Sequence, residues 1–417
     1  MSNPATSKPA SPKSVSIRAY YVFLISAVLF GIGQFHRLSG AVTIPPIAED
    51  VGIAVERLGG IAAILFFTSA ILQIPNGLLL DRYGPRRVMP FYVGGAIVGC
   101  LVMAFAQSYE EVLISRMLLG GGFSVTMMSA YVLFAKWFPV DRFATIASWM
   151  MAASSLGSIL ASYPLAFFID HWGWRPAYFI VAAITLVAVL IGIIVIRDTP
   201  EGYVQDKKQP TTLMASIKGY MEVLRFPRFF FFLAMGAVAF GPSTTILGMW
   251  GGPYLQDVHG LDGVSRGEIL FLMVVAIPVG ALFFGPLDRI VPSRKMIVFG
   301  AVILEVFAFA TLGLVPELPL WAVTSLFVAI AFLQQHYIVL AAQCRAAFPD
   351  YLVGRGNSTL NMVSILGVGG MQFLFGWGLW LSPEHGYSLS FIGIALLLVL
   401  ACIFYIWSFS GNPEKNQ

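Results

Sequence analysis

Long apolar runs separated by short polar segments are the dominant pattern of this chain. Twelve runs approach or exceed the ~20 apolar residues that a helix needs to cross a bilayer, and they are numbered here as spans 1 to 12. They lie near residues 20–44, 58–80, 88–106, 112–135, 143–169, 174–196, 229–254, 267–287, 296–315, 320–346, 356–381 and 389–409. Each run is far longer than the alternating segments of a membrane β-barrel. The pattern therefore predicts an all-α membrane protein with twelve transmembrane helices.

Composition agrees with this interpretation. Hydrophobic residues make up 58% of the 417 residues and charged residues 11%, whereas soluble domains carry about 25% charged residues. A water-soluble fold could not bury so much apolar surface.

The three cysteines, Cys100, Cys344 and Cys402, all lie inside apolar runs, which predicts buried free thiols without a disulfide role.

The basic residues predict the orientation of the chain. If the N-terminus is cytoplasmic, 20 of the 25 Lys and Arg residues lie on the cytoplasmic side. Only Arg57, Arg175 and Arg266 lie on the opposite side, and Arg37 and Arg116 fall within spans. Because Lys and Arg accumulate in cytoplasmic loops, this asymmetry predicts an even number of spans with both termini in the cytoplasm.

The second half of the chain repeats features of the first half. Asp81 and Asp288 are 207 residues apart, and so are Pro85 and Pro292, in charged segments that follow spans 2 and 8. Gly157 and Gly367 are 210 residues apart, in spans 5 and 11. A repeat at half the chain length implies a protein built from two related halves.

The repeat and the polar segments divide the chain into five parts. Residues 1–19 are predicted to be a disordered cytoplasmic N-terminus without a cleaved signal peptide, followed by span 1 as an uncleaved anchor. Residues 20–196 and 229–409 are predicted to form two pseudo-symmetric six-helix bundles. Residues 197–228 read as a cytoplasmic linker, and residues 410–417 as a cytoplasmic tail.

The segment after span 2 carries a recognisable motif. Gly77-x3-Asp81-Arg82-x-Gly84-x-Arg86-Arg87 is similar to the signature loop of the major facilitator superfamily. Arg116-Met-Leu-Leu-Gly120 resembles a second motif of that family, and the resemblance covers essentially the whole chain. It implies two six-helix bundles that transport a solute by alternating access.

The resemblance also implies a conformational latch at the signature loop, which stabilises the outward-open state. The residues assigned to this latch are Gly77, Asp81, Arg82, Gly84, Arg86 and Arg87, with Asp288 and Arg289 in the second copy. The second copy has lost a glycine and one spacer residue. The alternative is a positively charged cytoplasmic anchor with no conformational role.

Arg37 is the main candidate for substrate binding in the first half. An arginine within hydrocarbon costs roughly 2.5–3.5 kcal/mol, so it is expected to face a partner or a water-filled cavity. Gln34 shares its helix face, and His36 precedes it. The alternative is an ion pair near the outer surface with Glu49 or Asp50.

Other candidates lie in the spans that the resemblance places around a central cavity. Arg116 in span 4 is a candidate for proton relay, with a hydrogen-bond network as the alternative. His336 in span 10 is a candidate for substrate binding or proton transfer, and a satisfied structural histidine is its alternative. Glu305 in span 9 is a candidate for proton coupling. The remaining substrate-binding candidates are Gln334, Gln335, Trp250, Tyr254, Asn357 and Asn361.

These features favour a secondary transporter over an enzyme, because no nucleotide-phosphate loop, zinc spacing or nucleophile arrangement appears. The leading hypothesis is proton-coupled uptake of a small organic anion by a symporter in a bacterial inner membrane. Its predicted partners are an anionic small molecule and membrane lipid, with no nucleic acid. The protein is predicted to be monomeric and to need no cofactor other than a proton gradient. The alternatives are proton-coupled efflux of a hydrophobic compound and a transporter-like membrane sensor.

Overall fold

The computed structural model describes residues 16–139, 142–200, 221–291, 293–315, 317–349, 352–382 and 384–408, except for the side chains of residues 144, 288 and 289. The predicted tails fall almost entirely outside these ranges. The middle of the predicted linker and the side chains of Asp288 and Arg289 also lie outside the described residues. Helices and short connections account for the described chain, and no strand occurs within it.

The first bundle contains spans 1 to 6. The helices that form these spans are Ile17–Leu38 with Gly40–Val51, Leu58–Ile71 with Gln73–Tyr83, Pro85–Phe105, Tyr109–Phe123 with Thr126–Trp137, Phe143–Leu160 with Tyr163–Trp172, and Trp174–Val195. Four of the six spans are therefore interrupted near their middle. The two parts of span 2 meet at 42°.

The second bundle contains spans 7 to 12. The helices that form these spans are Phe229–Val238 with Gly241–Thr245 and Gly251–His259, Gly263–Ile290, Arg294–Leu314, Leu320–Leu333 with Tyr337–Ala347, Val353–Leu381, and Gly386–Ile406. Span 7 winds as a π-helix at Ile246–Trp250, and span 10 tightens to a 3₁₀ turn at Gln334–His336. All twelve predicted spans are confirmed within a few residues, except that span 1 continues to Val51.

Proline accompanies the break in span 7, and two further prolines lie within span 1. Pro45 and Pro46 lie inside its second helix, Gly40–Val51, where each removes a backbone donor from the helix. Pro242 begins a new helical segment in span 7, directly after a turn at Ala239–Phe240. Spans 1, 4, 7 and 10 are all interrupted, and these are equivalent positions of the two halves.

The repeat seen in the sequence is also present in the packing. In the first bundle, Gly157 of span 5 lies against the carbonyl oxygen of Gly31 in span 1. In the second bundle, Gly367 of span 11 lies in the same way against the carbonyl oxygen of Ala237 in span 7. A Cβ at either glycine would collide with that oxygen. Small residues let helices approach closely in membranes, and the two halves use the same contact.

Burial is distributed as expected for a protein surrounded by lipid. Large apolar side chains are exposed on spans 3, 6, 9 and 12, such as Phe105, Ile194, Phe307 and Leu396. By contrast, the polar side chains of the spans mostly point into the bundles. The three cysteines are buried and free, which confirms the prediction made from their positions.

The two bundles meet at the end of the molecule away from the chain termini. There the helix Gly40–Val51 of span 1 packs against span 7, span 2 packs against span 11, and the helix Tyr163–Trp172 of span 5 packs against span 8. The termini-side helices Gln73–Tyr83, Thr126–Trp137 and Tyr337–Ala347 pack chiefly within their own bundles. The cleft between the bundles therefore opens toward the end that carries the termini.

Candidate transport site

Arg37 lies on the face of span 1 that meets the second bundle. Its guanidinium Nη2 donates to Ser69 Oγ of span 2 at 3.4 Å, and the side chain is partly exposed. Its carbonyl oxygen is 3.1 Å from the position that a Cβ on Gly248 of span 7 would occupy. The arginine thus lies between spans 1, 2 and 7, away from the lipid-facing surface.

No carboxylate among the described residues lies within ion-pair distance of Arg37. The ion pair with Asp50 that was considered from the sequence is not formed. Asp50 instead pairs with Arg175 of span 6, whose guanidinium also lies 4.2 Å from the centre of the Trp174 ring. The charge of Arg37 is therefore balanced by no protein group in the described part of the chain.

His36 points in a different direction from Arg37, into the first bundle. Its side chain is 1% exposed, its ring stacks on Phe123 at 5.4 Å, and its Nε2 is 3.5 Å from Cys100 Sγ. Its Nδ1 has no hydrogen-bond partner. The structure therefore places His36 in the packing of the first bundle and not in the cleft.

Arg116 is completely buried beside the break in span 1. Its Nη1 donates to the carbonyl oxygen of His36 at 3.2 Å, while Nε and Nη2 have no partner. The span 1 helix ends at Leu38 and restarts at Gly40, so carbonyl groups of the last turn lose their normal helical partners. Arg116 supplies a charged donor to one of these carbonyl groups and so stabilises the interrupted conformation.

Gln372 of span 11 and the backbone carbonyl of Arg37 both lie against Gly248 of span 7. Its Nε2 donates to the carbonyl oxygen of Thr244 at 3.2 Å and lies 2.9 Å from the position of a Cβ on Gly248. Its Oε1 is buried without a partner.

Trp250 and Tyr254 lie within the second bundle, behind the cleft surface. Trp250 stacks on Phe375 at 5.1 Å and donates from Nε1 to the carbonyl oxygen of Gln372 at 3.0 Å. Tyr254 lies edge-on to Phe391 at 5.1 Å. Trp250 positions the backbone of Gln372, so its effect on a ligand would be indirect.

His336 and Glu305 form a buried pair between spans 10 and 9. Both side chains are 0% exposed, and Nδ1 of His336 is 3.8 Å from Oε1 of Glu305. His336 Nδ1 also lies 3.0 Å from the carbonyl oxygen of Leu333. The imidazole therefore points into the second bundle, toward span 9.

Several of the predicted polar residues are partly exposed or lack partners. Gln34, Gln335, Asn357 and Asn361 are all partly exposed, and Gln334 is 7% exposed. The side-chain oxygens of Gln34, Asn357 and Gln334 are buried without hydrogen-bond partners. Gln335 packs against Gly280 of span 8. The side-chain oxygens of Gln34, Asn357 and Gln334 can therefore accept a hydrogen bond from water or a ligand.

One aromatic pair was missed at the sequence level. The rings of Phe240 in span 7 and Tyr337 in span 10 are 4.1 Å apart, and both side chains are partly exposed. Phe240 lies at the break in span 7, and Tyr337 follows the 3₁₀ turn of span 10. The break in span 7 and the 3₁₀ turn in span 10 are the features that bring these rings together.

The signature loop binds a carboxylate from the start of the linker. Gly84 has φ +74°, a conformation that suits glycine, and it precedes the helix Pro85–Phe105. The backbone N–H of Arg86 donates to Asp198 Oδ1 at 2.8 Å, where the helix N-terminus favours an anion. Asp81 and Arg82 are exposed at the end of span 2. The proposed latch between the halves stays a prediction.

Two bundles, interrupted spans and a cleft with an unpaired arginine define a membrane transporter. The model of the Major Facilitator Superfamily matches residues 19–369, and the chain belongs to this superfamily. The fold is shared with a crystal structure of a bacterial homolog of the human lysosomal transporter Spinster, with a TM-score of 0.77 and 17% identity. That comparison covers 94% of this chain and 97% of the other.

Three curated relatives have different named substrates. The protein named "Probable sulfoacetate transporter SauU" of Cupriavidus necator is 22% identical over 275 residues, 64% of each chain. Nitrate/nitrite transporter NrtP of Picosynechococcus is 29% identical over 264 residues, 55% of this chain and 46% of that protein. Multidrug resistance protein MdtG of Klebsiella pneumoniae is 29% identical over 276 residues, which cover 61% of this chain and 62% of that protein. The chain thus spans less than two thirds of each relative.

Proposed function

We propose that this transporter takes up a small organic anion together with protons. The observation that carries the proposal is Arg37, a partly exposed guanidinium between the two bundles with a single hydroxyl partner, Ser69. A cation held in this position without a counter-charge favours an anionic ligand, because charge-assisted hydrogen bonds are among the strongest that a protein forms. The anion would supply the charge that the described protein groups do not.

The surroundings of Arg37 support recognition of a small, polar ligand. Gln372 and Gln34 each present a buried side-chain oxygen without a partner, and both could accept hydrogen bonds from water or from a ligand hydroxyl. Two of the three named relatives are transporters of anions, sulfoacetate and nitrate or nitrite. A carboxylate or sulfonate of a few carbon atoms fits this combination better than a large apolar compound.

The direction of transport follows from the orientation proposed for the chain. If both termini are cytoplasmic, the cleft of this structure opens to the cytoplasm and the contacts between the bundles close the outer side. The inward proton gradient of a bacterial membrane would then drive accumulation of the anion against its own charge. We infer location in a bacterial inner membrane because the named relatives are bacterial transporters.

Uptake by reconstituted protein tests the proposal. Purified protein in proteoliposomes is given sulfoacetate, nitrate and short carboxylates under an inward proton gradient, and accumulation is measured with and without an uncoupler. The proposal expects accumulation of at least one anion that collapses with the gradient. Anion movement only by exchange, unaffected by the uncoupler, would reject proton symport.

Efflux of a hydrophobic compound is the competing function, and the MdtG relationship favours it. The partly exposed pair Phe240 and Tyr337 would then provide a stacking surface for the compound. The same proteoliposomes decide between the two functions. Proton-driven removal of a lipophilic dye, with no anion accumulation across the panel, would favour efflux.

A further inference from the structure

The second bundle contains a carboxyl group that has no described role in binding an anion. Glu305 lies in the middle of span 9 and is 0% exposed, and neither of its oxygens makes a hydrogen bond. Its nearest charged or titratable partner is His336 of span 10, at 3.8 Å. From span 12, the buried thiol of Cys402 is the other titratable group, and it lies within the electrostatic reach of this carboxyl.

The geometry of the histidine fixes which nitrogen is available. Nδ1 of His336 lies 3.0 Å from the carbonyl oxygen of Leu333, so a neutral ring carries its proton there and leaves a lone pair on Nε2. Nε2 is buried without a partner. The pair therefore contains one fixed donor and several unfilled acceptor positions, all sealed from solvent.

The charge of this pair depends on a single proton. When one proton is added to an ionised carboxylate and a neutral imidazole, the net charge of the pair is zero. The added proton can lie on the carboxylate, which gives a carboxylic acid beside imidazole, or on the ring, which gives a carboxylate beside imidazolium. Without that proton, the pair carries a negative charge in an apolar bundle, which is strongly unfavourable because no described cation or donor compensates it. A sealed pair must therefore be protonated.

We propose that Glu305 and His336 form the proton-binding site of the transport cycle, separate from the anion site at Arg37. This inference rests on the proposed proton-coupled uptake. The proton comes from water and binds to the carboxylate, and it returns to water when the second bundle admits water to the pair. The 3₁₀ turn at Gln334–His336 is the local element whose rearrangement exposes His336.

Separation of the two sites has a direct consequence for the cycle. Arg37 lies between the bundles, whereas Glu305 and His336 lie inside one of them. Protonation would favour the sealed second bundle irrespective of whether the anion is bound, and the proton would leave when the bundle admits water. Coupling then requires that the bundle change its packing when the cleft alternates.

Infrared titration of purified protein in lipid tests the site without any substrate. Wild type is compared with Glu305→Gln, which keeps the side-chain volume but cannot titrate, and with Glu305→Asp, which can. We expect a carboxylic-acid carbonyl band in wild type at neutral pH that is absent in Glu305→Gln and shifted in Glu305→Asp. A spectrum unchanged by Glu305→Gln would overturn the proposal.

Transport separates this proposal from the proposed function. Glu305→Gln should reduce gradient-driven anion accumulation at least tenfold while leaving anion exchange without a gradient within about twofold of wild type. Full accumulation by Glu305→Gln would also overturn the proton site. If wild type moves no anion at all, the proposed function fails, and the infrared band alone decides whether the pair holds a proton.

Discussion

In the described part of the chain, each bundle buries one ionisable group, Arg116 or Glu305, next to a histidine, and the two arrangements differ in a way that matters for transport. In the first bundle, Arg116 lies behind His36 and donates to its carbonyl oxygen. In the second, Glu305 lies 3.8 Å from the His336 ring. Arginine keeps its charge under all ordinary conditions, whereas a carboxylate can be neutralised by one proton. The two halves have the same helices but different electrostatic roles.

The two groups also differ in their distance from the moving interface. Gly40 lies between Arg116 Nη2 and the carbonyl oxygen of Gly248. The first pair, Arg116 and His36, therefore adjoins the contact between the bundles. The second pair is enclosed by spans 9, 10 and 12. The comparison suggests that the first pair holds the shape of span 1 at the contact, while the second pair senses protons within its bundle.

The largest expected effect follows from filling the contact beside the first pair. Gly40→Val would place side-chain atoms where the carbonyl oxygen of Gly248 lies, so spans 1 and 7 could not make their contact between the bundles. We expect uptake in proteoliposomes to fall more than a hundredfold. Gly300→Val is the matched control, because no atom lies within 4 Å of a Cβ at that position on span 9. Equal activity of the two variants would contradict the contact.

Arg116→Met should have the next largest effect. It keeps much of the side-chain length but removes the charged donor to His36, and hydrogen bonds to charged groups contribute roughly 1.5–3 kcal/mol. A tenfold change in an equilibrium corresponds to about 1.4 kcal/mol, so we expect uptake to fall about tenfold or more. Unchanged uptake would mean that the break in span 1 does not depend on this hydrogen bond.

Glu305→Leu is expected to raise the stability of the folded protein. Removal of a buried carboxyl without hydrogen bonds eliminates a penalty of about 1–3 kcal/mol. The midpoint of thermal unfolding in detergent should therefore rise, although gradient-driven uptake is lost. A lower midpoint would show that the carboxyl makes a stabilising interaction in the folded protein.

The smallest expected effect concerns an exposed acid of the same bundle. Asp262 caps the helix Gly263–Ile290, and the N–H of Ser265 lowers the pKa of its carboxyl below the ordinary value of 3.8. This contribution to stability is present above pH 3.8 and is lost as the pH falls through the lowered pKa. Asp262→Ala should make the unfolding midpoint slightly lower at pH 7 and leave no difference at strongly acidic pH.

The sequence was sufficient to predict the architecture because the bilayer imposes simple requirements. The twelve apolar runs, the repeat at half-length and the signature loop led to the two-bundle fold, and the family comparison confirms the superfamily. The equivalence of Gly157 and Gly367 was visible as a spacing of 210 residues and is realised as the same helix contact.

The directions of individual side chains could not be predicted in the same way. The breaks in spans 7 and 10 change the direction of the residues beside them, so a continuous helix gives the wrong face there. Arg37 and His36 precede the break in span 1, and as neighbours on one helix they point to the cleft and the bundle interior, respectively. His336 was assigned to the cavity as a candidate, and the structure instead places it beside Glu305, which required knowledge of how spans 9 and 10 pack.

The most direct measurement is the affinity of purified wild type, Arg37→Ala, Arg37→Lys and Arg57→Ala for the transported anion, determined by calorimetry at fixed pH. Arg57 is an exposed arginine at the start of span 2 that lies 5.3 Å from the Tyr109 ring centre, so it controls for loss of one positive charge. We predict that Arg37→Ala weakens binding about 10- to 100-fold, as expected for a charged hydrogen bond. Arg37→Lys should recover part of the affinity, and Arg57→Ala should match wild type. Equal affinities for Arg37→Ala and wild type would contradict the anion site.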